Sequence, residues 1–186
     1  MVTYVAFLRA INVGGHKLIK MEALRRAFES LGCKNVRTYI QSGNVIFDSA
    51  SVNSVTLSRK IEKRLKEVFG HEVTVILREL SELEALVKRN PFKRVKADAG
   101  VMLFAVFLSE EPKTKPKLPL VSTTENLEVF EIKDRAAFIV SRRGFPNLFV
   151  EKQLGVLGTT RNWNTVNKIV RFAEIVDGKP AKRKQK

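Results

Sequence analysis

An α+β fold of two related halves, each an antiparallel sheet carrying helices, is predicted by three features of this 186-residue chain. Two runs, Tyr4 to Ile11 and Val101 to Leu108, are apolar on both alternating sets of positions, the pattern of a strand covered on both faces. Each is followed by two short β-branched or aromatic runs joined by a tight turn, which reads as a hairpin. Stripes of helical period stand between and after these runs.

In the first half, Tyr4, Ala6, Leu8 and Ala10 make one strand face and Val5, Phe7 and Ile11 the other, with Arg9 the polar exception. Leu24, Ala27, Phe28 and Leu31 then recur at helical spacing up to Gly32, a natural helix stop. Val36 to Ile40 and Val45 to Phe47 flank Gln41-Ser42-Gly43-Asn44 and form the first hairpin. A second helix carries Leu57, Ile61, Leu65, Val68 and Phe69 on one stripe and closes at Gly70; Val73 to Leu77 is a strand. The order is β-α-β-β-α-β.

A short helix from Ser81 to about Arg89, stopped by Asn90-Pro91, leads into the second half. There the strand from Val101 is followed by a linker with Pro112, Pro116 and Pro119, in which regular structure is expected only near Leu118 to Val121. Leu127 to Ile132 and Ala136 to Val140 form the second hairpin, and two helices, Phe145 to Leu154 and Trp163 to Val176, complete a β-loop-β-β-α-α order. The chain thus divides into residues 1–80, residues 81–178 and a basic tail, 179–186, expected to be disordered. The first order is that of the ferredoxin-like sandwich, with strands in the spatial order 4-1-3-2. Two such related subdomains, packed through their helix-free sheet faces, would bury Val5, Phe7, Leu103 and Ala105. A buried apolar face leaves no platform for stacking bases, and Asn44-Val45-Ile46-Phe47 lacks the glycine-aromatic signature of an RNA-recognition motif.

An apolar content of 44% suits a globular protein that folds unaided. Cys33 has no second cysteine to pair with, and His16 and His71 are the only histidines, so neither a disulfide, a metal site nor any other cofactor is expected. No basic leader and no membrane-length apolar run is present; a cytoplasmic protein without membrane attachment is the expectation. The formal charge is +15, and without the five cations of the tail there remain 29 basic and 19 acidic residues, a net +10. Such a field favours polyanions, nucleic acid first.

The topology gathers polar residues at one pole of the first sheet. Arg9, Asn12, Gly14, Gly15 and His16 would converge there with Gln41, Ser42, Asn44 and His71. Arg9 and the two asparagines have the donors to grip a phosphate or carboxylate, and glycines let a ligand approach the backbone. The same residues also suit ordinary tight turns, with Arg9 paired to a buried acid. A second candidate is Gly155 to Thr165, read as a loop entering a helix N-terminus. Arg161, Asn162, Asn164 and Lys168 lie off the apolar stripe of Trp163, Val166, Ile169 and Ala173, and Asn162 or Thr160 is the expected N-cap. Trp163 reads as a core anchor, Cys33 as a small packed residue, and Ser42 lacks the oriented base that would make it a nucleophile.

Three motifs carry a family resemblance: Tyr4-Val-Ala-Phe-Leu-Arg-Ala-Ile-Asn-Val-Gly-Gly15, Thr38-Tyr-Ile-Gln-Ser-Gly-Asn-Val-Ile-Phe47 and Thr160-Arg-Asn-Trp-Asn-Thr-Val-Asn-Lys168. In this order they resemble the signatures of the bacterial domain-of-unknown-function family 1697, over Val2 to about Ile175. The resemblance implies an α+β fold of two related subdomains and no assigned activity. Ala10 stands where that family usually has glycine, and Asn147-Leu148 where it commonly has Ser-Lys.

Three functional readings follow. The first is a binding module for an anionic ligand, a nucleotide or nucleic acid, using Arg9, Asn12, Gly14, Gly15, Gln41, Ser42, Asn44, Arg161, Asn162 and Asn164. The second is a metal-independent enzyme on a phosphorylated or carboxylated metabolite, with Arg9, Asn12, Ser42 and Asn44 binding and His16 or His71 shuttling a proton. The third is a protein-interaction domain. Nothing in the sequence specifies an oligomeric state. A pocket joining the two polar motifs favours the enzyme, and a continuous basic surface favours nucleic acid.

Overall fold

The computed structural model describes residues 1–9, 11–12, 18–40, 43–50, 53–96, 98 and 100–176. The first half runs β1 (Val2–Leu8), α1 (Met21–Glu29), β2 (Lys34–Tyr39), β3 (Asn44–Ser49), α2 (Ser54–Phe69), β4 (Val75–Glu79). Its strands lie in the order β2-β3-β1-β4, every neighbouring pair antiparallel. After α3 (Leu80–Arg89) come β5 (Met102–Leu108), β6 (Leu120–Ser122), β7 (Leu127–Lys133), β8 (Ala136–Ser141), α4 (Asn147–Leu154), β9 (Gly158–Asn162) and α5 (Trp163–Val176). These five strands form a second antiparallel sheet, β6-β7-β8-β5-β9.

The helix ends follow local chemistry. The Asn53 side chain accepts the Val55 and Thr56 N–H groups to cap α2, and Gly70 ends that helix in the left-handed region. Glu79 and Glu82 form a capping box on α3, which Asn90 closes in the same left-handed way.

Three apolar layers result. Tyr4, Ala6 and Leu8 pack under α1 and α2 with Leu24, Phe28, Ile61 and Leu65. Phe104, Val106 and Leu108 pack on the outer side of the second sheet with Val150 and Leu154 of α4. Between the sheets, Val5, Phe7, Ile46 and Ile76 meet Ala105, Phe107 and Phe138, with α3 and α5 filling the margin. Phe7 and Phe107 stack directly, ring centroids 4.4 Å apart and planes within 6°. Val5, Phe7 and Ala105 are fully buried and Leu103 half-buried, because strands apolar on both sets must be covered on both sides. Trp163 is a core anchor against Phe92 and Phe138.

Two strands are added to the expected order: β6, at the one place in the proline-rich linker where regular structure is expected, and β9. Residues 158–162, expected to be a loop running into a helix N-terminus, form β9, which pairs antiparallel along β5 from Leu108↔Gly158 to Phe104↔Asn162. The second half is therefore β-β-β-β-α-β-α. The open edge of β5 supplies hydrogen-bonding groups that must be paired when buried, and this tertiary demand outweighs the weak local pattern of Thr159-Thr160-Arg161-Asn162. Gly158 permits the approach, since a Cβ there would lie 2.6 Å from Val106 Cγ1. Thr160 is thus a strand residue, while Asn162 caps α5 by accepting the Asn164 N–H at 2.9 Å.

Candidate functional site

The strand directions determine what meets at the pole. β1 ends where β3 and β4 begin, with Phe7 opposite Asn44 and Leu8 opposite Val75. The Leu8 N–H donates to Gly43 O at 2.8 Å, and the Arg9 N–H to Thr74 O at 2.9 Å. Gly43 has φ of +75°, and a Cβ on it would fall 2.9 Å from both Leu8 Cβ and the Ile11 side chain, so only glycine fits there.

Arg161 enters this pole from β9. Its Nε donates to Asn44 Oδ1 at 2.6 Å, Nη1 to Thr159 Oγ1 and Thr160 O at 2.8 Å each, and Nη2 to Leu8 O at 3.1 Å and Gly43 O at 3.3 Å. The guanidinium lies over the Phe7 ring, 5.2 Å from its centroid. It is 8% exposed, and burial pulls its pKa down to about 10. Five neutral oxygens engage its five donors, the arrangement that makes burial of a guanidinium tolerable. Asn44, fully buried, is held in turn by its own Nδ2 donating to Tyr39 O at 3.1 Å.

Arg9 extends the network toward α4. Its Nε donates to Gly158 O at 3.2 Å and its Nη2 to Glu151 Oε2 at 3.0 Å. The other oxygen of Glu151 accepts from Asn147 Nδ2 at 2.9 Å and from the Gly158 N–H at 2.8 Å. Thr160 Oγ1 donates to Asn147 Oδ1 at 3.2 Å. Asn147 therefore faces the network, while the neighbouring Leu148 is exposed.

The structure brings Arg9, Asn44 and Arg161 together and commits the guanidinium of Arg161, the Asn44 amide and the Nε and Nη2 of Arg9 to protein oxygens. Asn12, in the left-handed region at φ 55°, uses its amide to clamp Ile19, accepting from its N–H at 2.7 Å and donating to its carbonyl at 3.2 Å. Asn162 and Asn164 are exposed at the start of α5. Gly14, Gly15, His16, Gln41, Ser42 and residues 179–186 lie outside the described residues. His71 has Nδ1 within 3.0 Å of Phe69 O, and its Nε2 is buried with no hydrogen-bond partner among the described residues. Cys33 is buried, which pushes its thiol pKa up to about 11.

Sequence reasoning anticipated a buried acid for Arg9 but did not single out Glu151. Its one signal is that it is the sole acid of α4, in a helix that buries Val150 and Leu154. A further group of cations lies outside both polar motifs. Lys88, Lys93, Arg94, Lys96 and Arg143 are exposed, and among the described residues none of their side chains makes a hydrogen bond or ion pair. The Arg142 guanidinium grips both oxygens of Asp98 at 3.0 and 2.9 Å, drawing the segment after α3 against the turn that carries Arg143. That contact holds the Asp98 carboxyl below its usual range.

Fold and site together define an α+β protein of two antiparallel sheets, with a buried arginine network at their junction and a set of exposed cations elsewhere. The chain belongs to the family described as Protein of unknown function (DUF1697), whose model matches residues 1–138. The fold is similar to that of conserved bacterial protein SP0830 from Streptococcus pneumoniae. The TM-score is 0.65 and the identity 21%, over 91% of this chain and 97% of that one. No curated protein matches the chain. Among the described residues no helix is long and apolar enough to cross a membrane.

Proposed function

We propose that this chain is a cytoplasmic binding module for an anionic ligand, with nucleic acid or a nucleotide as the first candidates. The observation that carries the reading is the division of labour among its cations. Arg9 and Arg161 serve the protein's own junction, whereas Lys88, Lys93, Arg94, Lys96 and Arg143 stand exposed without acidic partners among the described residues. Phosphates recruit such side chains by releasing condensed counterions, and no preformed pocket is needed. In this reading Asn162 and Asn164 remain available at the start of α5, and Arg9, Asn12, Asn44 and Arg161 shape the pole from beneath.

The two halves are read here as ferredoxin-like duplicates, because β7-β8-β5-β9 repeats the order β2-β3-β1-β4. The test is a fluorescence-anisotropy titration of a labelled single-stranded 12-mer, with AMP as competitor, at two salt concentrations. A module for polyanions binds the oligonucleotide with a steep salt dependence, and a nucleotide module is competed by AMP at both. Absence of saturable binding to either would end the proposal.

A further inference from the structure

One end of the second sheet gathers elements that are distant in sequence. Met102, opening β5, pairs with Ser141 at the end of β8, and Phe104 with Asn162 at the end of β9. The turn after β8 and the start of α5 therefore lie side by side. The segment after α3 is drawn to the same place twice: the Phe92 ring sits 5.2 Å from that of Trp163, the first residue of α5, and Asp98 is gripped by Arg142. Exposed Lys93, Arg94 and Lys96 thus share this end of the sheet with exposed Arg143, Asn162 and Asn164.

The same turn carries an aromatic ring that the fold leaves uncovered. Phe145 is 78% exposed. It is anchored on Phe104, ring centroids 5.5 Å apart and planes at 54°, and most of its surface faces solvent. Leu148, one turn further on and also exposed, widens the apolar surface beside it.

The backbone that presents the ring is fixed. The buried Ser141 hydroxyl donates to Arg143 O at 3.1 Å and accepts the Arg143 N–H at 3.2 Å. The Arg142 N–H donates to Asn126 O at 2.9 Å, and Gly144 makes the turn in the left-handed region at φ +77°. Pro146 then restricts the backbone of Phe145 itself. A ring held this way has little freedom left to lose when a flat partner covers it.

Cations alone attract any polyanion, but a ring among them adds selectivity. Bases in a duplex are stacked on one another, whereas an unpaired base offers a face to an aromatic side chain. We infer that the occupant of this cationic surface is a single-stranded nucleic acid, one base of which stacks on Phe145 while its phosphates follow Arg143, Lys93, Arg94 and Lys96. The inference rests on the anion-binding reading above and narrows it to one ligand class. The amides of Asn162 and Asn164 add hydrogen-bonding groups for base edges at the same end.

Fluorescence anisotropy on the full chain tests this with three labelled probes: a single-stranded 12-mer, its duplex, and an abasic 12-mer that keeps sugar and phosphate without bases. The parent protein is expected to bind the 12-mer about tenfold tighter than the abasic strand. Phe145→Ala, and Phe145→Leu, which keeps apolar bulk without an aromatic face, should each weaken 12-mer binding about tenfold. Both should leave abasic-strand binding, duplex binding and the melting temperature unchanged, and Phe145→Trp should bind the 12-mer at least as well as the parent. Parent-like 12-mer affinity in Phe145→Ala, or an equal loss on the abasic strand, would overturn the stacking and leave the cationic surface standing. Phe145-dependent binding to phosphatidylserine vesicles, with 12-mer binding unaltered by Phe145→Ala, would overturn it in favour of a lipid surface. Failure of the parent to bind any of the three probes would remove the anion-binding reading itself, and this inference with it.

Discussion

Arg161 and Asn44, 117 residues apart, are joined by a 2.6 Å hydrogen bond that ties the fifth strand of the second sheet to the third strand of the first. Because every donor of the guanidinium has a protein oxygen, this arginine acts as a junction pin. Arg161→Ala removes the hydrogen bonds to buried Asn44 and Thr159 and to the carbonyls of Leu8, Gly43 and Thr160, and one buried acceptor deprived of its donor costs about 1–3 kcal/mol. A loss of more than about 2 kcal/mol in urea denaturation is expected. Arg161→Lys should recover little of it, since an ammonium cannot reproduce the planar five-donor fork. Wild-type stability for Arg161→Ala would contradict the pin.

The apolar side of the same junction is Phe7 on Phe107. Phe7→Ala removes a fully buried ring stacked at 4.4 Å and should cost roughly 3–5 kcal/mol. Chemical denaturation checks this. A near-neutral variant would mean that the sheet face is open rather than paired.

Arg9 and Glu151 are coupled across the halves at 3.0 Å, with side chains 30% and 13% exposed. Being half-screened by solvent, the pair should show a coupling of about 1 kcal/mol in a double-mutant cycle of Arg9→Ala and Glu151→Ala, above the range of fully exposed pairs only if Gly158 is disturbed as well. Strict additivity of the two substitutions would show that the contact contributes nothing.

Burial at Cys33 raises the thiol from 9.0 to about 11. In the native protein it should stay protonated at pH 8 and react with a chromogenic disulfide far more slowly than in denaturant. The sign of the linkage follows. The stability tied to this thiol is fully present below pH 9 and is lost as pH rises toward 11, because the unfolded chain gives up its proton first. Cys33→Ala should flatten that part of the pH profile.

Much of the fold is legible in the sequence because apolar periodicity determines it. β1 and β5 show apolar residues on both alternating sets, and both lie between two cores. The helix stops at Gly70 and Asn90 take the left-handed conformation that their residue types favour. β9 is not legible, since Thr159-Thr160-Arg161-Asn162 becomes a strand only because β5 offers an edge. Arg161 was readable as a conspicuous polar residue but not as a buried one. Its acceptors on Asn44, Leu8 and Gly43 come from more than a hundred residues away, and a single sequence carries no trace of that meeting. Glu151 is hidden for the same reason, its partner Arg9 lying 142 residues earlier.

The most direct test of the anion-binding account compares two altered proteins in the oligonucleotide titration. One carries Lys93→Glu, Arg94→Glu and Lys96→Glu, all exposed and unpaired among the described residues; the other lacks residues 179–186. If the exposed body cations form the site, the triple variant loses more than tenfold in affinity. Its salt dependence flattens by about two in log-log slope, the loss of three phosphate contacts to a single strand. The truncated chain then keeps most of its affinity. Parent-like binding by the triple variant, with none by the truncated chain, would contradict the account and leave the tail as the whole source of binding.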